Sequence, residues 1–411
     1  MIFSHKMLAV SALLLSLLLP HSSDLRAQDE NPDAPIIALA NNNIYAVSPS
    51  DGESRLLVER SKEKDEQLDE LYYTYKVNFL LSSIGLSPIS PDNTKFAYKS
   101  PVYEQLDPEF EDKRIDIARM NPNDITLVDI ASGEQTPITE QGVNFKEMFA
   151  KDKLTNFSDL TWSPDGQRLY FLALVRSRRP NRVPQRTLEY YDLAAGERRT
   201  LARFDAEVYI ADVVAVPQGL VIVSGPQEDF KFTLYSPDGT LANAIEMTLP
   251  GYMGCTNEVM VYMNPVFNNG GLHYGYYVYD TDENLPFLLD VASESSIPLE
   301  ANLWPGLMAH GHSDTSLRLV FSDPCYEQKD HHWSVTDAKG RVIDSMFIPH
   351  VGINFNQQIT LSPDGASMAM LLSETTIRIM DTNGSRELDF AANSILWGAY
   401  DFTFTPVIKS D

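Results

Sequence analysis

Six strand-like runs in this 411-residue chain stop at a proline in the same way, and their spacing limits the architecture more than any other feature. The runs are LSPISP to Pro91, DLTWSP to Pro164, DVVAVP to Pro217, VMVYMNP to Pro265, QITLSP to Pro363 and YDFTFTP to Pro406. Successive prolines lie 73, 53, 48, 98 and 43 residues apart, and the 98 spans two periods with a degenerate copy, GLMAHGHSD, near its middle. A period near 48 belongs to solenoids and propellers. Proline has no N–H and ends ladder pairing, aspartate bonds its own backbone in a turn, and glycine accepts positive φ.

Each unit divides into four strands, a to d. In the unit from Asp159 they are DLTWS, RLYFLAL, RTLEYYDL and RRTLARF. A second short turn, between c and d, keeps the same phase: SDGE (50–53), ASGE (131–134), AAGE (194–197), PDG (237–239), AKG (338–340) and TNG (382–384). One four-stranded sheet cannot bury both faces, whereas a ring of them can. The expected fold is therefore all-β, a β-propeller of seven four-stranded blades. Six is the alternative count, because the units at 250–300 and 300–349 are poorly formed copies. The first unit, Pro35 to Glu59, has b, c and d but no a, so the C-terminal strand YDFTFTP is expected to complete that blade and close the ring.

WSPDG and LSPDG followed by RLYFLAL or SMAMLLS, and then by a strand such as IRIMDTNG, resemble the WD-like repeats of the TolB-type propellers. The match is clear at Thr161–Gly166 and Leu361–Gly365 and looser at Ser90–Asn93 and Thr405–Pro406. The resemblance implies the propeller and leaves function open, as a superfold does. It concerns the propeller domain alone.

The segment before the repeats reads differently. A lysine near the start, an apolar run from Met7 to Leu19 and small or polar residues up to Ala27 read as a signal peptide over 1–27, too short in its apolar part for a comfortable span. A short linker, 28–34, then precedes a single propeller domain, 35–411. The expected location is exported, periplasmic or secreted, and no membrane span is expected. With 57 acidic against 32 basic side chains the net charge is −25, which disfavours nucleic acid and anionic membranes. Nothing in the sequence specifies an oligomeric state. The two cysteines, Cys255 and Cys325, fall on one face in adjacent units and suggest a disulfide.

In a propeller the a–b and c–d turns share one end and the b–c and d–a connections the other. Here the first end carries only tight turns. The long connections are 60–84, 100–122, 140–158, 175–186, 250–257 and 322–331, all at the second end. Loops that lengthen on one side of a rigid scaffold are where binding sits. Helical spacing over 62–79 displays Tyr72 and Tyr75, a partner-binding helix or one packed on the rim. Glu104, Asp107 and Glu109 lie in an acidic insertion, either a cation loop or a solvated one. Arg176, Arg178, Arg179, Arg182 and Arg186 either bind an anionic ligand or neutralise that insertion. His310, His312, His331 and His332 are divided between the two ends of one unit, so no metal site is expected. No cofactor is expected either.

No catalytic constellation stands out. The reading is an exported, non-catalytic propeller that binds an envelope or extracellular protein or other ligand through its long-loop face. The alternative is a hydrolase or lyase acting on saccharide or peptide, with carboxylates near the channel mouth.

Overall fold

The computed structural model describes residues 34–40, 43–59, 85–101, 122–141, 153–163, 165–177, 183–205, 208, 210–216, 219–225, 229–236, 240–248, 261–268, 271–279, 284–290, 295–298, 307–309, 318–321, 331–337, 341–348, 359–362, 366–373 and 375–398. They are all-β, with no helix among the described residues.

The strands form seven four-stranded sheets in which every pairing is antiparallel. The first holds β1 (Ile36–Ala40), β2 (Asn43–Val47) and β3 (Ser54–Val58). The second holds β4 (Gly85–Ile89), β5 (Lys95–Pro101), β6 (Asn123–Asp129) and β7 (Gln135–Pro137). The third holds β8 (Lys153–Trp162), β9 (Arg168–Ser177), β10 (Gln185–Asp192) and β11 (Glu197–Asp205). The fourth holds β12 (Ile210–Val216), β13 (Gly219–Ser224), β14 (Asp229–Tyr235) and β15 (Leu241–Thr248). The fifth comprises β16 (Val261–Asn268), β17 (Gly271–Tyr279), β18 (Asn284–Asp290) and β19 (Ser295–Pro298). The sixth comprises β20 (Leu307–Ala309), β21 (Arg318–Phe321), β22 (His331–Thr336) and β23 (Val342–Ile348). The seventh comprises β24 (Ile359–Leu361), β25 (Ser367–Ser373), β26 (Thr376–Asp381) and β27 (Gly384–Asp389). A last strand, β28 (Ser394–Leu396), returns to the first sheet, whose order is β28-β1-β2-β3.

That return corrects one expectation. Ile37, Ala38 and Leu39 pair with Leu396, Ile395 and Ser394, so the strand that completes the first sheet is SIL and not YDFTFTP. The latter segment, 400–406, lies outside the described residues. Burial decides the matter: Ile395 and Leu396 are buried, and Trp397 donates from Nε1 to Ala34 O at 2.7 Å and from its backbone N to Thr360 Oγ1 at 3.0 Å. Pro265 also departs from expectation. It does not end a strand but sits within β16 opposite Tyr274, which is tolerated because β16 is an edge strand.

Neighbouring sheets pack face to face, and the alternation of side chains along each strand shows how. In β1, Ile37 and Leu39 join Ile89, Phe96 and Val128 of the second sheet. Ile36 and Ala38 turn the other way, onto Ala369, Ile377 and Ile379 of the seventh. In β9, Leu169, Phe171 and Ala173 meet Ala97, Ile125 and Leu127 of the second sheet. Tyr170 and Leu172 meet Val213, Ala215 and Leu220 of the fourth. A strand covered on both faces needs apolar residues in both registers, which is why β1 and β9 read as continuous apolar runs.

The first strands of neighbouring sheets lie against one another: β4 against β8, β8 against β12, and β24 against β28. At the outer side arginines bridge from sheet to sheet. Arg55 donates from Nη2 to Ile130 O at 2.5 Å, and Arg386 from Nη2 to Pro49 O at 2.8 Å. Arg378 sits between Asp344 and Glu387, with N–O separations of 3.4 and 2.6 Å.

Candidate functional site

The tight turns and the remaining connections take opposite ends of the sheets, as the repeat requires. After β2, β6 and β10 the turn glycines Gly52, Gly133 and Gly196 have φ of 79, 75 and 66°. After β4 and β8, Asn93 and Gly166 have φ of 56 and 68°. The opposite end of the third sheet is where β9 finishes, β10 begins and β11 finishes.

Strands extend further into that end than the sequence suggested. β8 starts at Lys153, β9 runs to Ser177 and β10 starts at Gln185, so Arg176 and Arg186 are strand residues and not loop residues. Arg178, Arg179 and Arg182, Glu104, Asp107 and Glu109, Tyr72 and Tyr75, and Cys255 and Cys325 lie outside the described residues. So do His310 and His312, while His331 and His332 begin β22. Among the described residues no group of three or more His, Cys, Asp or Glu is placed to hold a metal ion.

Between Val183–Thr187 and Arg203–Asp205 lies an open hollow of about 480 Å³. Register builds it: Arg186 stands between Leu174 of β9 and Phe204 of β11, and Thr187 stands opposite Arg203. The Arg186 guanidinium donates from Nη1 to Val208 O, and Val208 N donates to Asp205 O at 3.0 Å, which fixes the start of the link to β12. Val183 is 74% exposed at the rim, a large apolar side chain left in solvent. Arg203 is exposed and makes no ion pair among the described residues.

Beneath the hollow a buried carboxylate is fully engaged. Glu189 accepts from Thr187 Oγ1 at 2.7 Å and from Arg198 Nε, while the Arg198 guanidinium lies 5.0 Å from the centre of the Phe157 ring. The hydroxyl and the guanidinium between them satisfy both oxygens of this buried carboxylate. Thr187 thus joins the hollow to a rigid interior.

A second polar pair lies between the second and third sheets. Asp159 occupies the left-handed region, φ 51°, in the irregularity of β8 between Ser158 and Thr161, and its Oδ2 accepts from Ser158 Oγ at 2.5 Å. Burial pulls the Lys99 amine below the ordinary lysine range, against the opposing charge of Asp159. A partly covered amine of this kind gives up its proton more readily than a solvated one.

Arg203 and the Glu189–Arg198 pair were not singled out by motif. The signal that finds them is local charge: nine of the chain's arginines fall between Arg168 and Arg203. Residues 153–205 hold ten basic and six acidic side chains in a chain of net charge −25.

No protein-family model matches the chain, and no curated protein matches it by sequence. Solved structures similar to it include TolB from Acinetobacter baumannii, at 10% identity and a TM-score of 0.41, over 86% of this chain and 77% of that one. An oligogalacturonate lyase in complex with manganese is 12% identical, with a TM-score of 0.44, over 88% and 83% of the two chains. Prolyl oligopeptidase B from Galerina marginata is 12% identical, with a TM-score of 0.43, over 92% of this chain and 52% of that one. At these values none of the three assigns a function.

Proposed function

We propose that the chain is an exported seven-bladed β-propeller, completed by β28, whose end opposite the tight turns binds an envelope or extracellular protein without catalysing a reaction. It works in the periplasm or outside the cell. The observation that carries this is the hollow at the start of β10 and the end of β11, where Arg186 and Arg203, the latter without an ion pair among the described residues, stand beside the apolar Val183 and Phe204. Arginine with apolar surface around it suits protein recognition, since the guanidinium pairs a carboxylate in two-point fashion while the flanking surface excludes water. An arginine-rich patch on an acidic molecule also steers an acidic partner to one place.

The test is capture from envelope extract and from culture medium, using the chain from residue 28 onward. Wild type is compared with an Arg176→Glu/Arg186→Glu variant, whose fold is verified by its melting curve. The expected result is one dominant partner retained by the wild type and reduced at least tenfold by the variant, since two like charges would then face an acidic partner. Equal capture by both would remove the proposal. Turnover of an oligosaccharide or peptide panel by the wild type would replace it with the enzyme reading.

A further inference from the structure

The outermost strand of the third sheet has features that the hollow alone does not use. β11 is the last strand in the order β11-β10-β9-β8, so one of its edges faces no other strand among the described residues. It is nine residues long, the longest of the outer strands, since β3, β7, β15, β19, β23 and β27 have 5, 3, 8, 4, 7 and 6. Glu197, Arg198, Arg199, Thr200, Arg203 and Asp205 on it are exposed. A long open edge presents a row of unpaired N–H and C=O groups, and an extended chain can pair with them.

We propose that β11 is a docking edge for an extended acidic segment of another protein, which adds as a fifth strand and reaches the hollow with one end. Charge identifies the occupant. Arg199 pairs with Glu197 at 3.2 Å between two exposed side chains and also meets the Tyr190 hydroxyl, and its ion pair exchanges easily for a ligand carboxylate. Arg203 is uncommitted among the described residues and stands where the edge meets the hollow. The strand sits within the basic stretch 153–205, while the chain as a whole is strongly acidic. A second copy of this chain would bring its own net charge of −25 with it, and the mutual repulsion disfavours that occupant. Backbone pairing would supply affinity, and the arginines would select the charge.

This inference rests on the third sheet being the binding surface, and its test is kept apart from the capture experiment. Fluorescein-labelled peptides of alternating glutamate and valine are titrated into the wild type and an Arg199→Glu/Arg203→Glu variant, followed by anisotropy. A lysine–valine peptide and a glutamate–valine peptide N-methylated at alternate residues serve as comparisons. The expected result is binding of the glutamate–valine peptide, at least about tenfold weakened by N-methylation and by the variant. No binding is expected of the lysine peptide, and amide exchange over 197–205 should slow in the complex. Equal binding of the methylated peptide would reduce the edge to a charge effect and overturn the proposal. Absence of all peptide binding would show that the edge arginines only deter pairing, and would also overturn it. So would a dimer of the wild type that the variant abolishes. Envelope capture that still depends on Arg176 and Arg186, with no peptide bound at β11, removes this inference and leaves the functional reading intact.

Discussion

Ser163 does more in the repeated turn than the proline, aspartate and glycine that make it conspicuous. Its N–H donates to Arg168 O at 2.8 Å, its Oγ donates to Asp165 Oδ1 at 2.5 Å, and the same Oγ accepts from Arg168 N at 2.9 Å. Ser90 repeats every one of these bonds with Lys95 and Asp92. Ser362 repeats the two backbone bonds with Ser367. The aspartate then takes a further N–H, from Gln167 in one copy and Thr94 in another. Burial pushes the Asp92 carboxyl up, yet the hydrogen bonds from Ser90 and Thr94, with Lys95 nearby, hold it below the usual range. The fourth position requires a left-handed residue, Gly166 in one copy and Asn93 in another. A Cβ at Gly166 would meet only Pro91 Cδ, at 3.5 Å, so the cost of a side chain there is conformational and not steric. Gly166→Ala is therefore expected to lose about 1–2 kcal/mol in urea denaturation. Gly166→Asn, the residue already used at Asn93, should lose less than half of that, because asparagine enters this region readily. Equal losses would mean that packing, and not φ, governs the position.

At the scale of elements, the free edge of β8 is covered by side chains and not by a strand. Asn123 donates from Nδ2 to Phe157 O at 3.0 Å and accepts from Phe157 N at 2.8 Å. Gln141 does the same two residues away, donating from Nε2 to Thr155 O and accepting from Thr155 N, each at 2.6 Å. Two amides from the second sheet thus imitate the peptide groups of a missing neighbour and join the second and third sheets. Gln141→Leu keeps the volume and leaves the Thr155 N–H and C=O without partners. The expected cost is about 2–4 kcal/mol, with faster amide exchange at Thr155. Gln141→Ala with Asn123→Ala should cost less than the two single losses added, since Gln141 Nε2 also donates to the backbone O of Asn123 and both clasps grip the same edge of β8. Additive losses would separate the two clasps. Neither residue was legible beforehand. An amide that caps a strand edge has no period and no neighbour of its own kind, and 140–158 reads as a connection until β8 is seen to start at Lys153. Strand identity, by contrast, was legible, because proline and glycine punctuate both turns of each unit. The arginine cluster was only half legible: Arg176 and Arg186 belong to the strand ends, and Arg203 entered through register across from Thr187.

The whole molecule depends on how its first sheet is completed. That sheet contributes one face to the core shared with the second sheet and the other to the core shared with the seventh, so any gap in it weakens both. The need for a returning strand was visible in the sequence, since the first unit lacks one. Its position was not: the proline-ended pattern points to Pro406, whereas SILW carries no turn signature and is recognised only by what it buries. Ile395, Leu396 and Trp397 are all buried, and Trp397 alone joins Ala34 near the start of the described chain to Thr360 of the seventh sheet. A chain ending at Asn393 loses these three side chains together with the pairing to Ile37, Ala38 and Leu39. Removing one buried tryptophan side chain already costs about 3–5 kcal/mol, and domains of this kind have only about 5–15 kcal/mol in hand. The chain ending at Asn393 is therefore expected to lose its cooperative melting transition and to be cut by protease within the first sheet. A chain ending at Gly398 retains every contact described for β28 and should melt as one unit. If the Gly398 truncation also fails, the strand expected at 400–406 takes part in closure as well. If the Asn393 truncation melts normally, β28 does not hold the sheets together, and the ring proposed for the molecule has no seam there.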